Sequence, residues 1–247
     1  MKTYLDIPYG TTEGALVDLC LPDNAGFTTL LWFHGGGLET GSRRDGAALA
    51  EHAVQQGYGF ASAEYRMYPD ARFPEYITDA ASAVKFVSEH IARYGGNGKV
   101  AIMGQSAGAY LTMMLYCNPA YLANAGVDMN RIVAFISESA QQTAHFRVLG
   151  ERGIDMRAER IDEAAPLFYA DRASCEKPLF LLWYQDDIPC RPEQSRLMLA
   201  SLRRFHPNAE IQGTELSGGH CAGSTEADAG GEFPFIRELV RFLSCKG

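Results

Sequence analysis

The sequence predicts an α/β protein built on a mainly parallel sheet with helices on both faces. Three observations predict it. Short runs rich in β-branched and aromatic residues recur through the 247 residues. Several of these runs are continuously apolar rather than alternating, the pattern of a strand buried on both faces. Helical patterns lie between them, and strands that alternate with helices assemble in parallel.

Taken in order, residues 5–8 and 15–21, joined by a short glycine-containing turn, read as an antiparallel hairpin at the sheet edge. Residues 28–34, 59–65, 99–103, 131–136, 178–184 and 209–216 read as further strands. In 76–94 the residues Ile77, Ala80, Ala81, Val84, Val87 and Ile91 make one apolar stripe at helical spacing. Segments 192–205 and 233–245 follow the same pattern, and 107–115 is an apolar helical run. Residues 137–177 are long for a connection and only weakly helical. Long loops at the carboxyl edge of a sheet are usually functional, so a small cap or pocket wall is expected there. No repeat, low-complexity tract or linker divides the chain, which predicts one domain over 1–247.

Lys and Arg number 22 against 30 Asp and Glu, a net charge of −8, and there is no basic run. That balance argues against nucleic acid or an anionic membrane as a partner. The first residues lack a signal-peptide core, and no apolar stretch reaches membrane-spanning length, so a cytoplasmic location is expected. Cysteines at 20, 117, 175, 190, 221 and 245 have neither CxxC nor zinc spacing and read as reduced structural thiols. Cys221 adjoins His220, but a catalytic thiol there would need a basic partner of its own.

The chemistry is concentrated in loops that follow strands. Gly104-Gln105-Ser106-Ala107-Gly108 lies between the strand 99–103 and the helical run 107–115, the context of a nucleophile elbow. In such a turn the serine backbone is strained, and flanking glycines avoid the neighbouring strand and helix. The helix N-terminus then lies beside a developing oxyanion. His34-Gly35-Gly36-Gly37 follows the strand 28–34, and its glycines can turn N–H groups toward a carbonyl oxygen. Donors are expected from Gly36, Gly37 and Ala107. A phosphate-binding loop would end in Gly-Lys-Ser/Thr, whereas this one continues Leu38-Glu39-Thr40.

Of six histidines, His52 and His90 fall in helical patterns and His206 near a helix end, all expected at the surface. His145 lies in the 137–177 segment, where it could touch substrate. His220, in the loop after the last strand, is the expected base. An acid should follow the strand 178–184, and Asp186 and Asp187 are both candidates there.

These motifs, together with Tyr65-Arg66-Met67, Phe73-Pro74, Asp79-Ala80 and Tyr94-Gly95-Gly96, resemble the hormone-sensitive-lipase-like and feruloyl/acetyl-esterase branch of the α/β-hydrolase fold. The resemblance is most specific between Trp32 and Tyr110. It implies that the acid lies a fixed step before Glu193-Gln194-Ser195, which lands on Asp187. It also implies that Arg66 and Asp79 are structural, a buried ion pair bracing strand end and helix. Tyr65 reads more readily as a packing residue than as a ligand, although it lies at a strand end near the site. The Asp-Pro-Leu acid motif and long N-terminal cap of the lipase-like members are missing, which argues against a lipase.

The expectation is an ester hydrolase in which Ser106 attacks, His220 carries the proton and Asp187 orients it, with no metal or organic cofactor. An arylformamidase or other amidase would use the same machinery. A non-catalytic binding protein of the same fold is the alternative from another class. The expected partner is a small-molecule or saccharide ester with a short acyl group. About thirty residues precede His34, too few for an N-terminal cap, and the charged 137–177 segment offers no apolar channel.

Overall fold

The computed structural model describes residues 1–172 and 176–244; Cys175 and Cys245 lie outside the described residues. Eight strands form one sheet: β1 (Lys2–Pro8), β2 (Leu16–Leu21), β3 (Phe27–Phe33), β4 (Gly59–Ala63), β5 (Gly96–Gln105), β6 (Ile132–Glu138), β7 (Leu179–Asp186) and β8 (Ile211–Gly219). Their order across the sheet is β1-β2-β4-β3-β5-β6-β7-β8. β2 runs antiparallel to β1 and β4, and every other neighbouring pair is parallel. The edge hairpin and the parallel remainder are as the sequence predicts. β1 and β8 extend beyond their apolar runs, because backbone pairing rather than hydrophobicity sets a strand's end.

The helices are α1 (Ala47–Gln55), α2 (Glu75–His90), α3 (Ala107–Cys117), α4 (Ala120–Ala125), α5 (Phe146–Glu151), α6 (Arg191–Phe205), α7 (Ala222–Thr225) and α8 (Pro234–Ser244). Alternation along the central strands divides the apolar core in two. Leu31, Phe33, Ile102, Phe135 and Leu181 face α2, α3 and α6, whereas Leu30, Trp32, Met103, Ile136 and Phe180 face α1 and α8. Each fully buried Leu or Phe contributes roughly 1.5–3 kcal/mol. The stripe on α2 is buried as its spacing requires, but the helix stops at His90. Its last turn tightens to a 3₁₀ helix over Ile91–Tyr94, ended by Gly95 at φ 96°.

The chain leaves β3 for β4 on one side and then returns to β5 on the other, so the strand order reverses at β3. Sheets of this kind leave a crevice beyond the carboxyl ends of the strands where the order reverses. Both motif loops, 34–37 after β3 and Ser106 after β5, open into that crevice. The segment after β6 first runs inward: Ser139 to His145 are all buried. Gln194 on α6 accepts the N–H groups of Gln142 and Thr143, and Tyr110 on α3 donates to the Ala164 carbonyl at 2.8 Å. Among the described residues no helix is long and apolar enough to cross a membrane.

Candidate active site

Ser106 is the single residue between β5 and α3, and its backbone sits at φ 53°, ψ −112°. A non-glycine residue in this region costs on the order of 1–3 kcal/mol and persists only where its surroundings enforce it. Here the Ser106 N–H donates to the Glu138 carbonyl at 2.8 Å. A Cβ on Gly104 would come within 2.2 Å of the Gly108 carbonyl, and one on Gly108 within 2.0 Å of the Phe33 carbonyl. The elbow therefore has backbone packed on backbone, and only glycine fits on either side of the serine.

The structure brings Ser106, His220 and Asp187 together from the ends of β5, β8 and β7. His220 Nε2 lies 2.8 Å from Ser106 Oγ, and Nδ1 lies 2.5 Å from Asp187 Oδ1. With the proton on Nδ1 donated to the carboxylate, Nε2 is an acceptor for the serine hydroxyl. The Asp187 side chain is completely shielded from solvent, whereas the imidazole keeps 26 % of its surface exposed. Burial alone would raise the Asp187 carboxyl. The hydrogen bond and charge of His220, with the nearby Ser139 hydroxyl and the Ile188 N–H, outweigh it and hold the group below its ordinary range, so it stays anionic. Asp186, one residue earlier, points into solvent.

Gly35 packs against the serine: a Cβ there would sit 3.3 Å from Ser106 Cβ. The Gly36 carbonyl turns back to accept the N–H groups of Glu39 and Thr40 at 3.1 and 3.0 Å, which closes the loop. Ala107 is the first residue of α3, so its N–H has no acceptor within the helix. Ser106 and His220 stand in a cleft of about 540 Å³ that Gly36, Thr40, Asp45, Leu49 and Phe233 help to line.

A polar network under the loop is not visible in the sequence. The buried His34 ring stacks on Tyr65 with centroids 4.4 Å apart, and Tyr65 donates to the His34 carbonyl at 2.9 Å. His34 Nε2 meets Glu64 Oε1 at 2.8 Å, and the Arg43 guanidinium joins Glu64, Asp18 and Asp6. Burial raises the Glu64 carboxyl, but His34 and Arg43 outweigh it and hold it below the usual range. These residues come from five places in the chain at no recognisable spacing, so only the fold assembles them.

Two expectations need correction. His145 is buried at the N-terminus of α5, where its Nδ1 accepts the Arg147 N–H at 3.2 Å. Burial, reinforced by Arg191 and Arg147, pushes its pKa well down, and it braces the wall instead of facing the cleft. The residue that does reach the glycine loop 34–37 is its neighbour Phe146: a Cβ on Gly37 would come within 2.9 Å of the ring. Arg66 and Asp79 do form a two-pronged pair at 2.8 and 2.9 Å between β4 and α2, but the arginine is only half-buried because it lies beside exposed Glu75. His52, His90 and His206 are partly covered, each held by a backbone carbonyl. Cys221 is buried, which pushes its thiol well up and away from the thiolate. Two residues behind the site escaped sequence reading altogether. Arg191 donates to the Ser139 carbonyl at 2.8 Å, and the Glu138 carboxyl accepts the Tyr184 hydroxyl at 2.5 Å.

An eight-stranded sheet with a serine elbow after β5, an acid after β7 and a histidine after β8 defines the α/β-hydrolase fold. Comparison with known proteins agrees. The BD-FAE family matches residues 17–125, less than half of the chain. The esterase Est2 from Thermogutta terrifontis superposes with a TM-score of 0.77 at 18 % identity, covering 99 % of this chain and 92 % of that one. In sequence, the chain is 34 % identical over 108 residues to probable isoprenylcysteine alpha-carbonyl methylesterase ICMEL1 of Arabidopsis thaliana, 42 % of this chain and 23 % of that one. It is 28 % identical over 237 residues to esterase LipC of Mycobacterium tuberculosis, 87 % of this chain and 57 % of that one. It thus matches less than two thirds of the length of these curated relatives. The chain has the α/β-hydrolase fold, and the proteins it resembles in sequence and in structure are esterases.

Proposed function

We propose that this chain is a serine carboxylesterase that removes short acyl groups, roughly two to four carbons, from esters of a bulkier polar alcohol such as a sugar. The observation that carries the reading is the unbroken hydrogen-bond path Ser106–His220–Asp187 at the cleft. As the ester enters, Ser106 Oγ attacks its carbonyl carbon while His220 Nε2 takes the hydroxyl proton. Asp187 orients the ring and stabilises its cationic form without becoming protonated. The tetrahedral oxyanion is held by the N–H groups of Gly36, Gly37 and Ala107. His220 then protonates the departing alcohol, and a water activated by the same ring releases the acid from Ser106.

Support for a short acyl group comes from Phe146, whose ring stands over Gly37 and leaves little room beside it. Charged side chains of the wall are engaged too: Arg147 with Glu39, and Arg152 with Asp162 and Glu163. Thr40 and Asp45 in the cleft suit a hydroxyl-bearing alcohol. The test is labelling by a fluorophosphonate, followed by kcat/KM across p-nitrophenyl esters from acetate to decanoate, with acetylated sugars and N-formylkynurenine alongside. Labelling at Ser106 and a maximum at C2 to C4 are expected. Ser106→Ala should lower kcat on the order of 10⁴-fold or more with an unchanged thermal transition. No labelling overturns the hydrolase reading, a maximum at C8 or beyond overturns the short acyl group, and preference for the formamide makes the protein an amidase.

A further inference from the structure

We infer that Glu138, at the end of β6, is a positioning residue for both Ser106 and His220, acting as an uncharged carboxyl group behind the triad. The inference rests on the esterase reading of the same site.

The geometry makes one residue the hub of two arms. Through its backbone carbonyl, Glu138 accepts the Ser106 N–H at 2.8 Å and so helps hold the strained elbow. Through its side chain, Oε1 accepts the Tyr184 hydroxyl at 2.5 Å. Tyr184 Oη in turn accepts the Gly223 N–H at 2.7 Å. Gly223 belongs to α7, the short helix that follows His220 and Cys221. The fit there is tight, since a Cβ on Gly223 would come within 2.2 Å of Tyr184 Oη. With Cys221 at φ 59° making the turn between β8 and α7, fixing α7 fixes the segment that carries His220.

The surroundings explain why this carboxyl is neutral. Glu138 is fully buried. Tyr184 faces it from β7, Asp187 from just beyond β7, Cys221 from the β8–α7 turn and Ser224 from α7. The nearby cation, Arg191 at the start of α6, is directed instead to the Ser139 carbonyl and Gln141. Among the described residues no cation pairs with Glu138. Ionisation would place a second buried anion beside Asp187. Burial accordingly pushes this carboxyl up to about 8, with Tyr184 and Ser224 moderating the shift and Asp187 adding to it. As pH rises from the ordinary carboxylate range to about 8, the unfolded chain releases a proton that the folded chain keeps, so Glu138 makes the fold progressively less stable.

Two sets of measurements on the full chain test this. The first is kcat and KM from pH 5.5 to 10 on p-nitrophenyl butyrate for the wild type, Glu138→Ala, Glu138→Gln and Tyr184→Phe. Wild-type kcat should fall above about pH 8. Glu138→Ala and Tyr184→Phe should each lower kcat at pH 6.5 by about tenfold to a hundredfold, with KM within about twofold. Glu138→Gln should rescue most of that loss and lack the alkaline fall. A Gln variant with the wild-type alkaline fall, or as impaired as Ala, overturns the inference, as does Tyr184→Phe with wild-type kcat. The second is thermal unfolding of wild type and Glu138→Gln at pH 5 and pH 8.5. The Gln variant should gain on wild type as pH rises, and a constant difference overturns the neutral carboxyl. Because unfolding needs no substrate, it separates this inference from the esterase reading: a wild type that hydrolyses no ester sinks that reading, while the stability shift still tests Glu138.

Discussion

Asp186 and Asp187 are neighbours with identical side chains in opposite surroundings. Asp187 is sealed from solvent against His220, with the Ile188 N–H donating to its Oδ1 at 2.7 Å, whereas Asp186 is exposed. Asparagine at 187 keeps the shape but removes the charge that favours a cationic imidazole and sets its tautomer. Asp187→Asn should therefore lower kcat by about 10⁴-fold. Asp186→Asn should stay within a few-fold of wild type, since an exposed carboxylate this far from the ring is screened. Kinetics of the two variants side by side on one ester decide the matter, and the reverse ranking would assign the acid to Asp186.

At the scale of elements, the segment after β6 runs inward before it returns to the surface. Its first residues are buried against α3 and α6, and α5 then brings Phe146 over the glycine loop, with Arg147 tied to Glu39 and stacked over Tyr68 at 5.0 Å. Removing the ring opens space next to Gly37 without disturbing the loop's backbone. Each methylene that enters such a space gains roughly 0.8 kcal/mol, close to a fourfold preference. Phe146→Ala should raise the ratio of kcat/KM for octanoate over butyrate esters by about tenfold or more. An unchanged ratio would mean that the acyl chain lies elsewhere in the cleft. Arg66, just past β4, braces Asp79 of α2, the role the family resemblance implies, and Tyr65 donates to the His34 carbonyl.

For the whole molecule, the His34–Glu64–Arg43 network joins the glycine loop to the edge hairpin through Asp18 and Asp6. Glu64 is held below the ordinary carboxylate range, so its contribution to stability is fully present above that range and is lost as pH falls through its depressed value. Glu64→Gln should destabilise the protein at pH 7 on the order of 2 kcal/mol. The gap to wild type should narrow as the pH drops below about 4. Thermal unfolding at pH 7 and pH 3.5 measures both, and a gap independent of pH would deny Glu64 this role.

The sequence by itself determined the strand and helix series, the edge hairpin, the serine elbow and the glycine loop. Each of these is a local property: continuous apolar runs read as buried strands, the α2 stripe shows in its spacing, and the glycines around Ser106 mark a crowded turn. Short pieces such as α4, α5 and α7 span too few residues for any periodicity to register. Strand pattern left two aspartates open beside His220, and the family resemblance singled out Asp187; the tertiary structure alone decided that His145 turns inward while Phe146 faces the loop, and that Glu138, Tyr184 and Gly223 form one chain. Those contacts depend on strand register and on which residues of distant segments arrive at the same depth of the sheet. Hydrophobic patterning says that β6 and β7 are buried, but the pairing of Glu138 with Leu182 is what places its carboxyl within reach of Tyr184.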